Sequence, residues 1–135
     1  MSVFRWPIRV YYEDTDTGGI VYHANYIKFM ERARTEWLRA LGFEQNEIAR
    51  DHGIGFVVRS ANLDFVKAAR FNDQLFATCE VMRLGRASVE FRQTVIDLQD
   101  QLLCSADIRV GSVDFRRMQA VRMPEAIYLG MSHGK

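Results

Sequence analysis

The sequence predicts an α+β fold: one long central helix wrapped by a five-stranded antiparallel sheet. Three observations predict it. Tyr26, Phe29, Met30, Ala33, Trp37, Leu38 and Leu41 recur at helical spacing, and no other stretch sustains that pattern. Four strand-like runs follow this helix, parted by short turn signals, and one run precedes it. A lone helix in a chain of 135 residues must bury its apolar stripe against a sheet.

Taken in order, residues 3–13 read as the first strand, with Pro7 suited to an edge or a strand start. Residues 14–22 are a turn and approach segment in which Gly18 and Gly19 supply backbone freedom. The helix spans about 25–41, with Asn25 as N-cap and Gly42 as the stop. Residues 44–51 add one or two helical turns. The remaining strands are 54–66, 74–84, 87–98 and 102–115. Asn72-Asp73 turns the chain into the third strand. Gly85-Arg86 and Gln99-Asp100-Gln101 are hairpin connections. The tail, 118–131, contains Pro124 and little periodicity. Residues 1–135 form a single domain. One helix cannot cover all of such a sheet, and an uncovered face or unpaired edge calls for a second subunit.

Composition narrows the function. Hydrophobic residues are 48%, charged residues 26%, and 18 basic against 17 acidic residues leave a net charge of +1. That balance gives no general attraction to nucleic acid or anionic membrane. Cys79 and Cys104 lie in apolar runs, without disulfide density or metal-ligand spacing, and read as buried thiols in a reducing compartment. No signal peptide or membrane-length apolar run is visible, so the expectation is a cytoplasmic protein. His23, His52 and His133 are scattered, so no metal site is expected. Nucleophile-elbow, dinucleotide-binding and P-loop motifs are absent.

The reactive side chains concentrate in 11–38: Glu13, Asp14, Asp16, Tyr22, His23 and Glu31. Asp16 lies between the strand and the helix start. A carboxylate there either attacks an acyl carbon, serves as general base for water, or merely caps a turn before glycine. Asp14 competes for either chemical role, since strand alternation puts both carboxylates on one face. The helix start offers free N–H groups that polarise a carbonyl as it becomes an oxyanion. His23 either hydrogen-bonds the acyl group or is a satisfied helix-entry residue. Tyr22 and Tyr26 read as packing residues or pocket walls, and Glu31 as a partner of Arg32 or Arg34. Several basic residues near strand ends, among them Arg86 and Arg117, are either solvated charges or phosphate contacts.

The segment RVYYEDTDTGGIVYHANYIKFMERARTEWL resembles acyl-CoA thioesterases of the 4-hydroxybenzoyl-CoA thioesterase family. The shared signature is a Thr/Cys-Asp pair, two variable residues, Gly, then Ile/Val-Val-aromatic. Here it reads Thr15-Asp16, Thr17-Gly18, Gly19, Ile20-Val21-Tyr22. FRWPIRVYYEDTD, VYHANY, ERARTEWLR, FVVR and VDFRRM extend the similarity along nearly the whole chain. They look most like the branch associated with the bacterial Tol-Pal envelope system.

The resemblance implies a hot-dog fold and hydrolysis of an acyl-CoA thioester to free acid and CoA without a cofactor. It implies a homodimer or homotetramer with active sites at the subunit interface, and association with acyl carrier protein. It assigns catalysis to Asp16, and to the backbone N–H of His23 assisted by its side chain. It puts Gly19 and Tyr22 beside the substrate, and Arg86 and Arg117 near the CoA phosphates. Two alternatives stand beside hydrolysis: a module that binds acyl-CoA or acyl carrier protein as a scaffold, and a hot-dog dehydratase or hydratase.

Overall fold

The computed structural model describes residues 3–133, so the outermost two positions at each end of the expected domain lie outside the described residues. Strands β1 (Phe4–Arg9), β2 (Ile54–Phe65), β3 (Gln74–Leu84), β4 (Ser88–Asp97) and β5 (Leu102–Asp114) form one antiparallel sheet in the order β1-β3-β4-β5-β2. A two-residue strand β6 (Gln119–Ala120) adds to β5. The expected five strands are therefore present, with a short sixth. Helix α1 (His23–Ala40) packs against β1, β3 and β4, and α2 (Gln45–His52) packs against β2. A third helix, α3 (Glu125–His133), follows β6.

The apolar stripe of α1 explains its place. Tyr26, Phe29, Met30, Ala33, Trp37 and Leu38 are all buried, facing Ile8, Leu75, Ala77, Cys79 and Phe91 of the sheet. Trp37 meets Phe91 edge-on, with centroids 5.4 Å apart. The helix stops where Gly42 takes φ +98°. The Gly42 N–H then donates to the Arg39 carbonyl (2.9 Å) and the Phe43 N–H to the Leu38 carbonyl (3.1 Å). Those two bonds satisfy carbonyls that the helix end would leave open.

A buried amide fastens α1 to the sheet. Gln93 on β4 is fully buried. Its Nε2 donates to the Met30 carbonyl of α1 (2.9 Å) and to the Thr78 carbonyl of β3 (3.0 Å). With both amide protons used, its Oε1 accepts Arg34 Nη1 at 2.8 Å. The β3–β4 ladder opens to permit this: the Thr94 N–H donates to Thr78 Oγ1 (2.9 Å) instead of to a backbone carbonyl. Burial pushes the Arg34 guanidinium below its ordinary pKa, with Cys79 and Glu31 opposing that shift.

Four expectations need correction. The first strand ends at Arg9 rather than 13, because Tyr12–Asp14 coil into a 3-10 turn closed by the Tyr11 N–H on Asp14 Oδ2 (2.8 Å). Alternation therefore does not relate Asp14 to Asp16. The long helix begins at His23 with Tyr22 as N-cap, and Asn25 lies inside its first turn. Glu31 accepts Thr35 Oγ1 at 2.6 Å and forms no ion pair with Arg32 or Arg34. The tail contains α3, which the sequence hid because only Ile127 and Met131 anchor it in the core.

Two predictions follow from this packing. Gln93→Leu keeps the volume but leaves the half-buried Arg34 without its acceptor and the Met30 and Thr78 carbonyls without this donor, so urea unfolding is expected to show a loss of about 3 kcal/mol. The cysteines predict alkaline lability. Burial pushes Cys79 up to about 12 and Cys104 up to about 11, from an unfolded value of 9.0. The folded state thus holds these protons more tightly. Its advantage is complete below pH 9 and is lost as pH rises through the folded values. The urea midpoint should fall from about pH 9 upward, and fall less in a Cys79→Ala, Cys104→Ala double variant.

Candidate active site

Residues 11–22 form a closed loop between β1 and α1. Thr15 and Val21 pair as an antiparallel bridge, and the Asp16 N–H donates to the Ile20 carbonyl at 3.0 Å. A second bridge, Ile20 with Arg70, ties the loop to the segment before β3. At the tip, Gly19 adopts φ +77°, a conformation that costs an L side chain roughly 1–2 kcal/mol. A Cβ there would meet nothing within 4 Å, so backbone conformation rather than space calls for glycine.

The two competing aspartates are separated by environment. Asp14 is 7% exposed, and its carboxylate is turned back on its own turn through the Tyr11 N–H. Asp16 is exposed. Its Oδ1 accepts the Gly18 N–H at 2.8 Å, and among the described residues its Oδ2 has no donor. One oxygen is thus held while the other is open.

The start of α1 is equally open. No side chain caps it, and among the described residues the His23 N–H has no acceptor. Such a group carries the partial positive charge of the helix end. His23 is exposed, its ring 4.4 Å from that of the half-exposed Tyr22. Phe65, at the end of β2, meets the His23 ring edge-on at 6.0 Å and the Tyr26 ring at 5.7 Å. Tyr26 is buried, and its hydroxyl oxygen accepts the Ala69 N–H at 3.0 Å. Burial pushes the Tyr26 phenol upward, and the Ala69 bond partly offsets it. Asp16, Gly19 and Tyr22 therefore share one loop, and His23 follows it directly as the first residue of α1. Phe65 was not read as part of it: nothing in sequence links the end of one strand to a helix start far away.

Arg86 and Arg117 lie elsewhere. The loop pairs beside Arg70, ahead of β3, whereas Arg86 follows β3. That strand has 11 residues, roughly 35 Å at ~3.3 Å each. Arg117 sits beyond β5, at the same far end as Arg86. Within one chain, neither reaches Asp16. Arg86 is also engaged by α3, through Glu125 Oε2 at 3.1 Å and the Tyr128 ring, 4.0 Å below its guanidinium.

A cavity of about 450 Å³ opens between the later turns of α1 and the sheet, walled by Leu38, Phe56, Val58, Phe91 and Val110, with Glu31 at one side. It does not include Asp16 or His23. Among the described residues, no three His, Cys, Asp or Glu side chains converge as a metal site, and no helix is long and apolar enough to cross a membrane.

Comparison with known proteins places the chain in a family. Residues 18–104 match the Thioesterase superfamily. The Haemophilus influenzae protein "Acyl-CoA thioesterase YbgC" is 39% identical over 98% of this chain and 96% of its own. "Acyl-CoA thioester hydrolase YbgC" of Escherichia coli O6:H1 is 40% identical over 93% of each. The crystal structure of a probable thioesterase from Bartonella henselae superposes with a TM-score of 0.85 at 30% identity, covering 91% of this chain and all of that one. With its curled antiparallel sheet around α1, the chain belongs to the Thioesterase superfamily and is a thioesterase of the hot-dog fold.

Proposed function

We propose that this chain hydrolyses acyl-CoA thioesters, releasing a free carboxylic acid and CoA, with Asp16 as the catalytic carboxylate. One observation carries the reading: a carboxylate with an open oxygen sits on the short loop that leads directly into a helix N–H without an acceptor among the described residues. The thioester carbonyl oxygen accepts the His23 N–H. Asp16 Oδ2 either attacks the carbonyl carbon, giving a mixed anhydride that water then cleaves, or takes a proton from the water that attacks. In each case the negative charge develops on the oxygen facing the helix end, where a fixed dipole is most effective. Collapse breaks the carbon–sulfur bond, and the CoA thiolate leaves and is protonated by solvent. Thiolate is a good leaving group, so no strong general acid is needed. The His23 side chain assists at the acyl oxygen, Gly19 leaves room for the substrate, and Tyr22 forms a wall.

The acyl group runs along α1. Glu31 lies two turns past His23, about 12 Å by helical rise, and the apolar cavity begins there. The CoA end is held by a second copy of the chain. Among the described residues, β2 is a sheet edge with an unpaired side, and Val58, Phe65 and Val66 on or beside it are exposed. Pairing two β2 edges antiparallel about a two-fold axis sets the far end of one subunit beside the loop end of the other. The partner's Arg117 and Arg86 then approach the phosphates of a substrate bound at Asp16. This supports a homodimer, or a pair of dimers, with the whole chain acting as one domain. Docking of an acyl carrier protein, and a role beside the Tol-Pal system, are extensions of the same proposal.

Turnover of a short-to-long acyl-CoA series, followed by free thiol release, tests the chemistry. Asp16→Asn is expected to lose about 10²-fold or more in kcat while melting like wild type. His23→Ala is expected to lose less, since it keeps the backbone N–H. Full activity in Asp16→Asn would make Asp16 a turn residue. A wild type that binds every member without hydrolysing any would make the protein a scaffold. The phosphate assignment has its own test. Arg117→Ala should raise KM for acyl-CoA several-fold and leave KM unchanged for the same acyl group on pantetheine, which lacks the nucleotide.

A further inference from the structure

We infer that Asn25 is a positioning residue for the reaction: its side-chain amide sets the loop that carries Asp16 against the helix end that carries the His23 N–H. Asn25 is 7% exposed, one of five buried polar residues among the described residues. Its Nδ2 donates to the Asp14 carbonyl at 2.8 Å. The same carbonyl accepts the Tyr22 N–H at 2.9 Å, so both of its lone pairs are used.

This carbonyl is a joint. On one side of it in the chain, two residues on, stands Asp16. Its two donors come from the other side, Tyr22 just before His23 and Asn25 just after Ala24. The Tyr22 bond belongs to the loop closure that the Thr15–Val21 bridge continues. The Asn25 bond is different: it reaches from inside the first turn of α1, so it alone fixes the loop by a side chain of the helix itself. Asn25 is not the N-cap: Tyr22 holds that position, and Asn25, inside the first turn, uses its Nδ2 as a donor to Asp14. The buried side chain touches no reacting atom, and it acts only through the placement of Asp16 relative to His23.

The inference rests on the reading that Asp16 and the His23 N–H act on the thioester. It predicts a split in the kinetic constants. Displacement of a catalytic group by about 1 Å can cost 10²-fold, whereas most of the proposed binding contacts, along α1 and at the CoA phosphates, lie away from this joint. Asn25→Ala should therefore lower kcat by about 10- to 10²-fold with KM within about twofold of wild type. Asn25→Asp keeps the shape but replaces the donor by an acceptor facing a carbonyl. It should fall at least as far as Asn25→Ala at neutral pH, which a packing role would not produce.

The experiment is steady-state kinetics of both variants beside wild type and Asp16→Asn, with thermal melts, on the acyl-CoA that wild type turns over best. If Asn25→Asp does not fold, Asn25→Ala decides alone. Loss of kcat in folded Asn25→Ala, with KM held, is the expected result. Wild-type kcat in Asn25→Ala together with an inactive Asp16→Asn would overturn the positioning role and leave the catalytic reading intact. Full activity in Asp16→Asn would overturn both.

Discussion

The structure depends on one constraint: α1 buries a single apolar stripe, chiefly against β1, β3 and β4. Everything near the site follows from that seat. The stripe runs from Tyr26 to Leu38, so the helix starts at the margin of the core: His23 is exposed, and among the described residues its N–H has no acceptor. Gln93 holds the register by joining a carbonyl of α1 to a carbonyl of β3 and by accepting from Arg34. The β5–β2 half of the sheet is left to α2 and to the cavity alongside Glu31 to Leu38. Among the described residues, that arrangement leaves the β2 edge unpaired, bearing exposed Val58 and Phe65.

The loop before α1 divides its acidic residues by role. Asp14 is consumed by structure: its carboxylate closes the 3-10 turn and its carbonyl receives two donors. Asp16 keeps one oxygen in an Asx-type contact with Gly18 and presents the other. Holding one oxygen restrains the carboxylate without neutralising it. In the proposed mechanism a backbone N–H at a helix start complements it, because it stabilises charge that appears only as the thioester carbonyl is attacked. Neither group requires a metal or a triad, in keeping with a thiolate leaving group that needs little help.

Much of this was legible in the sequence. The 3.6-residue recurrence from Tyr26 to Trp37 marked α1, and short apolar runs bounded by turn residues marked β2 to β5 to within a residue or so. Periodicity could not choose between Asp14 and Asp16; only the Thr15-Asp16 to Tyr22 motif did. The rest was hidden for physical reasons. The role of Asn25 depends on a carbonyl 11 residues away, and that of Gln93 on an arginine 59 residues away. Helix α3 has two buried anchors and is fixed by the close approach of Gly130 to Phe43, which leaves no periodic trace. Arg86 and Arg117 were read as near the substrate. That they lie at the end of the sheet opposite Asp16 emerges only from strand order.

The most direct test of the central claim, that the helix end polarises the thioester carbonyl, is the amide resonance of His23. It would be followed by nuclear magnetic resonance as the protein is titrated with an acyl-CoA ketone whose sulfur is replaced by a methylene. The ketone cannot be hydrolysed but keeps the carbonyl. If the carbonyl docks as described, the His23 amide proton moves strongly downfield on saturation, more than those of Ala24 and Asn25 after it. If the ligand binds and that resonance does not move, the carbonyl lies elsewhere and the helix end is not the oxyanion site.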